Sequence, residues 1–447
     1  MKRRSLTRRE FLTLVGAGSA ALAARGGIGP LFAAGRKPNI IVILADDQGY
    51  AELGCQGSND VPTPNIDSIA KNGVRFTSGY VSCPVCSPTR AGLLTGRYQQ
   101  RFGHEFNPGP PDPERRFGLP LTETTVADRL KAAGYATGLV GKWHLGEKEK
   151  YWPTDRGFDE FFGFLGGSHA YMTVSGGPLE GIFRGKRAVE EREYLTDAFA
   201  REATAFVERH KSEPFFLYLA FNAVHNPLQA PEKYLRRFSK VEPENRRKFL
   251  AMLSAMDDAV GALLDALRRN ALEEDTLIFY LSDNGGPTDK TTSRNDPLRG
   301  LKGEVWEGGI RVPFLMQWKG TVPAGGVYDK PVISLDVVPT VLAAAGVVVR
   351  DARFDGVDIL PFVSGKSAGT PHEALYWRYG RQAAIRKDSW KLVRMPGAAA
   401  YLFDLSSDIG ERKDLASEKP DLAKQLADQL AKWESELAAP LWGGANL

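Results

Sequence analysis

The sequence predicts an α/β sandwich, in which a large, mostly parallel central sheet carries helices on both faces and is followed by a small C-terminal α+β subdomain with an antiparallel sheet. Three observations predict it. Apolar runs typical of buried strands alternate with helical patterns over most of the chain. Polar residues suited to chemistry follow the ends of those runs. From about residue 370 the pattern changes to short strands and one amphipathic helix.

The strands of the large sheet are predicted from continuous apolar runs, because a parallel strand covered on both faces shows no alternation. The runs are 39–45 (NIIVILA), 136–140, 214–221 (PFFLYLAF) and 276–281 (TLIFYL). Helices are predicted at 124–133, 196–210 and 248–269. The last helix carries an apolar stripe formed by Leu250, Leu253, Met256, Val260, Leu263 and Leu264.

The C-terminal part is predicted to hold strands at 384–393 and 400–405 and a closing helix at 420–437. A Gly- and Ser-containing stretch at 362–370 is the predicted joint. We therefore expect an N-terminal segment at 1–34, a large domain at 35–365 and a C-terminal subdomain at 366–447. A chain of 447 residues with 43% hydrophobic content can form both cores.

Residues 1–34 have the pattern of an export signal. A basic start is followed by a weakly hydrophobic run that ends at Ala24. This run is too short to span a bilayer, as is typical of a signal peptide. The pair Arg8 and Arg9 resembles the twin-arginine signal, which carries folded proteins across the bacterial inner membrane. The segment predicts a periplasmic or secreted protein that uses the export machinery and has no stable membrane insertion after processing. An uncleaved tethering helix is the alternative.

The bulk charge gives no case for nucleic-acid binding. The whole chain carries +4, and residues 1–34 contribute +5 through six basic residues and one acidic residue. The remainder therefore carries −1. Any affinity for anions has to come from a local site.

Three cysteines, at positions 55, 83 and 86, cannot build a disulfide framework in an exported protein. Cys83 and Cys86 form a Cys-x-x-Cys, which alone could indicate redox or zinc chemistry. A zinc site needs two more soft ligands, and Cys55 is the only other thiol. Oxidation of the pair would consume a candidate nucleophile, so neither interpretation is favoured.

Two pairs of carboxylate or amide side chains follow predicted strands. Asp46 and Asp47 come after the first strand, and Asp283 and Asn284 come after the last. In open α/β sheets, ligands bind outside the carboxyl ends of the strands, so remote loops can converge on one site. Carboxylate and amide oxygens suit a hard divalent cation such as Ca²⁺ or Mg²⁺ rather than zinc. Either pair alone would be explained by an ordinary turn.

Basic residues also follow predicted strands. In 141–146 (GKWHLG), Lys142 and His144 are two apart on an extended segment, so they point to the same side. A Lys supplies a point charge for an anion, and a His can transfer a proton near neutral pH. His225 and Lys302 lie in later loops and could join them. A surface turn with a hydrogen-bonded His is the alternative. Of the other histidines, His104 and His169 are expected near the cleft, and His210 and His372 at the surface.

Residues 86–90 (CSPTR) supply the candidate nucleophile. A Cys four residues before an Arg offers a nucleophile beside a fixed positive charge, which favours an ionised group and attracts an anionic substrate. The alternative for these five residues alone is a partly buried Cys in a Pro-containing turn. The following 95–97 (TGR) and the motifs downstream favour the catalytic interpretation.

Together these motifs resemble the sulfatase family, whose signature is Cys-x-Pro-x-Arg followed by Thr-Gly-Arg. Further shared stretches are 141–146 (GKWHLG), 156–159 (RGFD), 224–231 (VHNPLQAP), 297–300 (PLRG) and 306–309 (WEGG). Within the family they are most similar to arylsulfatase B, the N-acetylgalactosamine-4-sulfatase, and its bacterial relatives. The resemblance implies an alkaline-phosphatase-like sandwich and the hydrolysis of sulfate esters.

The resemblance also implies a nucleophile and a metal. Cys86 would be converted to formylglycine by a maturation enzyme, and the hydrated aldehyde, a gem-diol, would attack sulfur. A Ca²⁺ ion, preferred to Mg²⁺, would be held by Asp46, Asp47, Asp283, Asn284 and the modified Cys86.

The remaining roles follow from the same resemblance. Arg90 would stabilise the diol, and Lys142 and Lys302 would bind sulfate oxygens. His225 would protonate the leaving sugar oxygen. His144 would then take a proton from the diol, so that the aldehyde reforms and sulfate leaves.

The expected substrate is a sulfated polysaccharide or oligosaccharide of the galactose or N-acetylgalactosamine type. One alternative is a phosphodiesterase or phosphonate monoester hydrolase of the same superfamily. Another is an unmatured homologue that only binds glycans.

Overall fold

The computed structural model of the protein describes residues 37–108, 117–172, 181–350 and 353–443. The predicted export signal at 1–34 lies outside these residues. Within them, no helix combines the length and the apolar character needed to cross a bilayer.

The strands are numbered in chain order. They are β1 (Asn39–Ala45), β2 (Val74–Phe76), β3 (Gly79–Tyr80), β4 (Ala136–Lys142), β5 (Glu160–Phe164), β6 (Ile182–Arg184), β7 (Arg187–Val189), β8 (Phe215–Ala220), β9 (Thr276–Ser282), β10 (Phe314–Gln317), β11 (Gly326–Tyr328), β12 (Val332–Ile333), β13 (Leu375–Tyr379), β14 (Gln382–Lys387), β15 (Trp390–Arg394) and β16 (Tyr401–Asp404).

The helices, also in chain order, surround the sheets. They are α1 (Pro64–Lys71), α2 (Cys86–Thr95), α3 (Val126–Ala132), α4 (Leu195–His210), α5 (Glu232–Leu235), α6 (Glu244–Arg269), α7 (Thr288–Thr291), α8 (Glu307–Ile310), α9 (Val337–Ala344), α10 (Leu360–Val363) and α11 (Pro420–Glu434). Short 3₁₀ helices occupy several of the connecting loops.

A ten-stranded sheet forms the centre of the described residues, in the order β11-β2-β10-β9-β1-β8-β4-β5-β6-β7. The strand β1 lies in the middle and pairs in parallel with β8 on one side and β9 on the other. The parallel centre continues through β4 and β5. Towards the edges β10, β6 and β7 pair antiparallel. The prediction of a large, mostly parallel sheet is confirmed.

Alternate residues of β1 face opposite sides of the sheet, as the period of a strand requires. Ile41 and Ile43 belong to a buried core that includes α1, α4 and α6. Ile40, Val42 and Leu44 belong to a second core that includes α2, α3 and α9. Because helices cover both faces, the central strands are apolar throughout, which is why they can be recognised in the sequence.

A separate four-stranded antiparallel sheet, in the order β13-β14-β15-β16, forms the C-terminal part with α11. The single strand predicted at 384–393 is wrong in detail, because a turn at Asp388, with φ of 54°, divides it into β14 and β15. The strand β13 was not predicted. The domain boundaries at 365 and 366 stay a prediction.

Candidate active site

Four neighbouring parallel strands end at one edge of the sheet, and the predicted polar residues follow them there. Asp46 follows β1, Lys142 ends β4, and Asp283 follows β9. The register pairs Ala45 of β1 with Ser282 of β9, so the pair Asp46–Asp47 and the pair Asp283–Asn284 begin side by side. The convergence expected from the strand ends is therefore observed.

Asp46 is completely buried among cations. Lys142 Nζ lies 2.5 Å from its Oδ2, and Arg90 Nη2 lies 3.5 Å from the same oxygen. Burial opposes ionisation of this carboxyl, but the positive charges of Lys142 and its basic neighbours outweigh burial and hold its pKa well below the usual value. Asp46 is therefore an anion at any working pH.

Asp47 has φ of 62°, a left-handed conformation that Asp tolerates better than most residues. Its Oδ1 accepts hydrogen bonds from Lys302 Nζ at 2.6 Å and from Asn284 Nδ2 at 2.7 Å. Its Oδ2 lies 3.6 Å from His225 Nε2. Asp47 thus joins three loops that are remote in the chain.

Asp283 is buried against Arg90. Its Oδ2 accepts hydrogen bonds from Arg90 Nε at 3.1 Å and Nη2 at 2.7 Å, and its Oδ1 accepts one from the backbone N–H of Asp47 at 3.2 Å. Burial, and then the negative charge of Asp46, raise its pKa. Arg90 also donates to the carbonyl oxygen of Lys142 at 3.2 Å. The guanidinium therefore ties three of the converging loops together.

One group of side chains has the spacing of a metal site. The ligand atoms of Asp46, Asp47, Cys86 and His225 all lie within 4.8 Å of one another. This group adds His225 to the predicted ligands and does not contain Asp283. The cluster can hold a metal ion, and the assignment of Asp283 as a ligand stays a prediction.

Cys86 is the first residue of α2, at the positive end of the helix dipole. The alternative of a partly buried Cys in a Pro-containing turn is excluded, because these residues form a fully buried helix. The Sγ atom of Cys86 lies 3.7 Å from Asp46 Oδ1. Burial raises the pKa of this thiol to about 12, although Lys142 and Lys302 favour the thiolate. The nearby cations therefore act in the expected direction, but burial outweighs them.

His144 also has a left-handed backbone, with φ of 58°. Ser87 Oγ donates to its carbonyl oxygen at 2.6 Å and contacts His104 Nε2 at 2.7 Å. Burial, and then the positive charge of Lys142, hold the pKa of His144 well below its usual value, so the ring is neutral and can accept a proton. Its Nδ1 is buried without a partner among the described residues.

The tautomer of His225 follows from its contacts. The ring Nδ1 lies 2.6 Å from the carbonyl oxygen of Asn226, which can only accept, so Nδ1 is the donor. The Nε2 atom therefore faces Asp47 and is the ring atom available to the site.

The other histidines differ partly from expectation. His104 is fully buried behind Ser87, and burial lowers its pKa to about 3. His169 is half-buried beside Phe164, at the end of β5. His210 is partly buried and lies within 2.8 Å of two glutamates. His372, expected at the surface, lies 2.8 Å from buried Asp336 and has a side chain only 8% exposed.

Ser87 and Glu105 were missed by sequence reasoning. Both are buried, and Glu105 accepts hydrogen bonds from Arg378 in β13. Their partners are 57 and 273 residues away in the chain, so no local pattern could have indicated them.

The sheet, the strand-end carboxylates and the basic side chains around a buried Cys define a hydrolase of anionic esters. The sulfatase family model matches residues 38–347, and a second model, for the C-terminal part of N-sulphoglucosamine sulphohydrolase, matches residues 302–436. The chain belongs to the sulfatase family and is a sulfuric ester hydrolase.

Its relatives cover nearly the whole chain. It is 36% identical to human arylsulfatase A, over 93% of this chain and 91% of that protein. It is 33% identical to mouse arylsulfatase J, over 91% of this chain and 77% of that protein. A solved structure described as Ps i-CgsB in complex with k-i-k-neocarrahexaose is 37% identical, with a TM-score of 0.87, over 92% of this chain and 96% of that one.

Proposed function

We propose that this protein removes sulfate from O-sulfated sugars of a polysaccharide or oligosaccharide, with galactose or N-acetylgalactosamine as the favoured sugar. The observation that carries the proposal is the position of Cys86 at a helix N-terminus, within 4.8 Å of two aspartates and a histidine and surrounded by cations. The oligosaccharide bound by the 37% identical relative supports a carbohydrate substrate.

The residues present fit a hard divalent cation. Aspartate oxygens and the buried Oδ1 of Asn284, which has no partner among the described residues, are ligands that Ca²⁺ and Mg²⁺ accept. We assign Asp46, Asp47, Asp283, Asn284 and Cys86 as the residues that would hold Ca²⁺. When bound, the ion would polarise a sulfate oxygen and stabilise the charge that develops during transfer.

The high pKa of Cys86 argues that the unmodified thiol is not the nucleophile at neutral pH. We propose that Cys86 is converted to formylglycine by a maturation enzyme. This modification would supply a hydrated aldehyde as nucleophile and would allow sulfate to leave by C–O cleavage, without attack of water on a sulfated enzyme.

The cations would bind and orient the sulfate group. Lys142 and Lys302 each already contact an aspartate of the cluster, at 2.5 and 2.6 Å, so both ammonium groups are held beside Cys86. Arg90 would fix the acidic loops and add positive potential at the nucleophile. Preorganised charge of this kind stabilises a transition state without rearrangement.

The two histidines would divide the proton transfers. His225 Nε2 would donate to the departing sugar oxygen, since Nδ1 is already engaged with the Asn226 carbonyl. Neutral His144 would accept a proton from the nucleophile. Because alkoxide sugars are poor leaving groups, the acid step determines whether natural substrates are cleaved.

We further propose that residues 1–34 direct the protein to the periplasm or the exterior through the twin-arginine route. In that case residues 35–365 form the catalytic domain and 366–447 the C-terminal subdomain.

Two measurements test this function. The matured protein is assayed with matched aryl sulfate and aryl phosphate esters, and we expect faster sulfate turnover. Faster phosphate turnover would assign it to the phosphodiesterase or phosphonate hydrolase class. The mass of the Cys86 peptide is then measured, and we expect a loss of about 18 Da on conversion to formylglycine. An unmodified thiol in the native host would favour the glycan-binding alternative.

A further inference from the structure

The turn between β13 and β14 is a tight, defined structure near the active site. Tyr379 and Gln382 are the last paired residues, and Gly380 and Arg381 form a two-residue loop. Gly380 has φ of 60°, which suits the first position of a type II′ turn. The side chains that flank this loop are therefore held in fixed directions by the two strands.

The turn is attached to the loop that carries Lys302. Gln382 Nε2 donates to the carbonyl oxygen of Gly303 at 2.9 Å, and its Oε1 accepts from the N–H of Val305 at 3.2 Å. The N–H of Gly303 donates to the carbonyl oxygen of Pro84 at 2.9 Å, two residues before Cys86. The turn thus lies against the backbone on one side of the active site.

A second attachment holds the turn from the other side. Glu105 accepts hydrogen bonds from the N–H of Gly380 at 3.0 Å and from Arg378 Nε at 3.1 Å. Two residues further along, Asn107 Oδ1 accepts from the N–H of Ser87 at 2.9 Å. The turn is therefore fixed between the two loops that flank Cys86.

Tyr379 faces the site. In an antiparallel pair, opposite residues point to the same side, so Tyr379 shares the side on which Gln382 reaches Gly303. Its half-buried ring packs against Phe106 at 5.3 Å between centroids. Burial, and then the nearby thiols of Cys83 and Cys86, raise the pKa of its phenol to about 12. The hydroxyl is therefore protonated and can donate a hydrogen bond.

Arg381 is exposed and carries a charge that its neighbours do not neutralise. Within the described residues it has no ion pair or hydrogen bond. The other arginines of this sheet do, since Arg378 pairs with Glu105, Arg386 donates to Tyr80, and Arg394 pairs with Glu434. An unpaired arginine at the edge of a site for anionic esters is suited to a second anion.

We propose that Tyr379 and Arg381 form a second substrate subsite, in which Arg381 binds a sulfate group on the sugar next to the one that is cleaved and Tyr379 contacts the sugar ring between them. This inference rests on the proposed function, since it concerns the same site. It defines the substrate as a chain with sulfate on successive sugars rather than an isolated sulfated monosaccharide.

The test compares two galactan tetrasaccharides, one with sulfate on two adjacent sugars and one with only the target sulfate. The quantity measured is the ratio of their kcat/KM values. We expect Arg381→Ala to lower this ratio about five- to tenfold, and the loss to shrink at high salt, because the contact is partly exposed. Arg381→Lys should keep part of the preference, since a point charge remains.

The matched control is Arg269→Ala. Arg269 is also exposed and makes only a weak 3.8 Å contact with Glu208. It is the last residue of α6, which leads into the start of β9, at the edge of the sheet opposite the active site. If the ratio of the two kcat/KM values is the same in Arg381→Ala as in Arg269→Ala, the proposed subsite is wrong. If Arg381→Ala lowers kcat/KM equally for both tetrasaccharides, Arg381 contributes to folding or to the reaction itself and not to a second subsite.

Calorimetry of the Cys86→Ala protein with the same tetrasaccharides provides a readout without turnover. We expect the doubly sulfated ligand to bind more tightly, and the difference to disappear in the Cys86→Ala/Arg381→Ala protein. Equal binding of both ligands before the second substitution would contradict the subsite. Failure of the proposed function would be seen separately, as an absence of aryl sulfate hydrolysis by the matured protein.

Discussion

Lys142 Nζ lies 2.5 Å from Asp46 Oδ2, and neither side chain has any exposed area. The two residues are 96 positions apart and meet because β4 and β1 flank β8 in one parallel sheet. Two further cations, Arg90 and Lys302, and two further carboxylates, Asp47 and Asp283, lie beside them. The site therefore holds three positive and three negative charges, and its net charge is zero. A divalent cation would make the site net positive, and an anionic ester would then be attracted to it.

Replacing the nucleophile tests the chemistry directly. Cys86→Ala should lower turnover of an aryl sulfate by about 10⁴-fold or more, because it removes the proposed nucleophile. The fold should persist, since the change removes a single sulfur atom whose hydrogen bond to Asp46 is long, at 3.7 Å. Activity and thermal unfolding are measured on the same preparation. A wild-type rate would remove Cys86 from the mechanism.

Metal removal should destabilise the protein and abolish activity. Because a ligand that binds only the folded state adds stability by mass action, Ca²⁺ at about 100 times its Kd should raise the unfolding free energy by about 2.7 kcal/mol. Asn284→Ala should lose metal content and rate without leaving a charge unpaired. Asp283→Asn should in addition cost about 3 kcal/mol, since it leaves Arg90 buried without its carboxylate. Unchanged metal stoichiometry in either variant would exclude that residue from the ligand set.

The sequence was enough to predict the central sheet and the convergence of the polar residues that follow its strands. Buried parallel strands, and the polar residues directly after them, have clear local patterns. It did not predict α2, since a Cys-Ser-Pro start resembles a turn and the helix is stabilised by burial on all sides. Nor did it predict the high pKa of Cys86, because the amount of burial at a site depends on the whole fold. The contact of Ser87 with the His144 carbonyl joins residues 57 apart and has no sequence signal.

A buried lysine between two glutamates should be important for stability. Lys391 Nζ lies 2.9 Å from Glu307 and 2.8 Å from Glu411, and all three side chains are buried. Burial raises the pKa of Glu411 to about 7, although Lys391 lowers it. Lys391→Met should destabilise the protein by about 3–5 kcal/mol, because it removes the cation that Glu411 contacts and, among the described residues, leaves buried Glu307 paired with Arg311 alone.

The control for this lysine is Lys387→Met in the same sheet. Lys387 pairs with Glu373 at the surface, where the glutamate is 83% exposed, so no measurable change is expected. Urea unfolding of both variants measures the difference. Equal stabilities would show that the buried trio contributes little.

His372 should make stability depend on pH. Burial opposes its protonation, but the charge of Asp336 at 2.8 Å outweighs burial and raises the pKa of His372 above its usual value. The folded protein therefore binds this proton more tightly than the unfolded chain, and the stabilisation is complete below about pH 6.5 and lost as pH rises through the folded pKa. In His372→Gln, which can still donate to Asp336, the unfolding free energy should fall less between pH 6 and pH 9. The unfolding free energy of both proteins is measured by urea unfolding at each pH. An equal fall in the two proteins between pH 6 and pH 9 would contradict this prediction.

The packing of Gly167 against His144 gives a test of how precisely the proposed base is positioned. A methyl group on Gly167 would lie 2.6 Å from His144 Nε2, which is a steric clash. Gly167→Ala should therefore displace the imidazole and lower kcat about 10- to 100-fold, with a smaller effect on KM, because a displacement of about 1 Å can cost that much in a catalytic group. The neighbouring Gly166→Ala is the control, since its nearest contact would be Glu147 Oε1 at an ordinary 3.5 Å. A similar kcat for the two variants would indicate that His144 can move without loss, and the proton acceptor would then have to be sought elsewhere in the site.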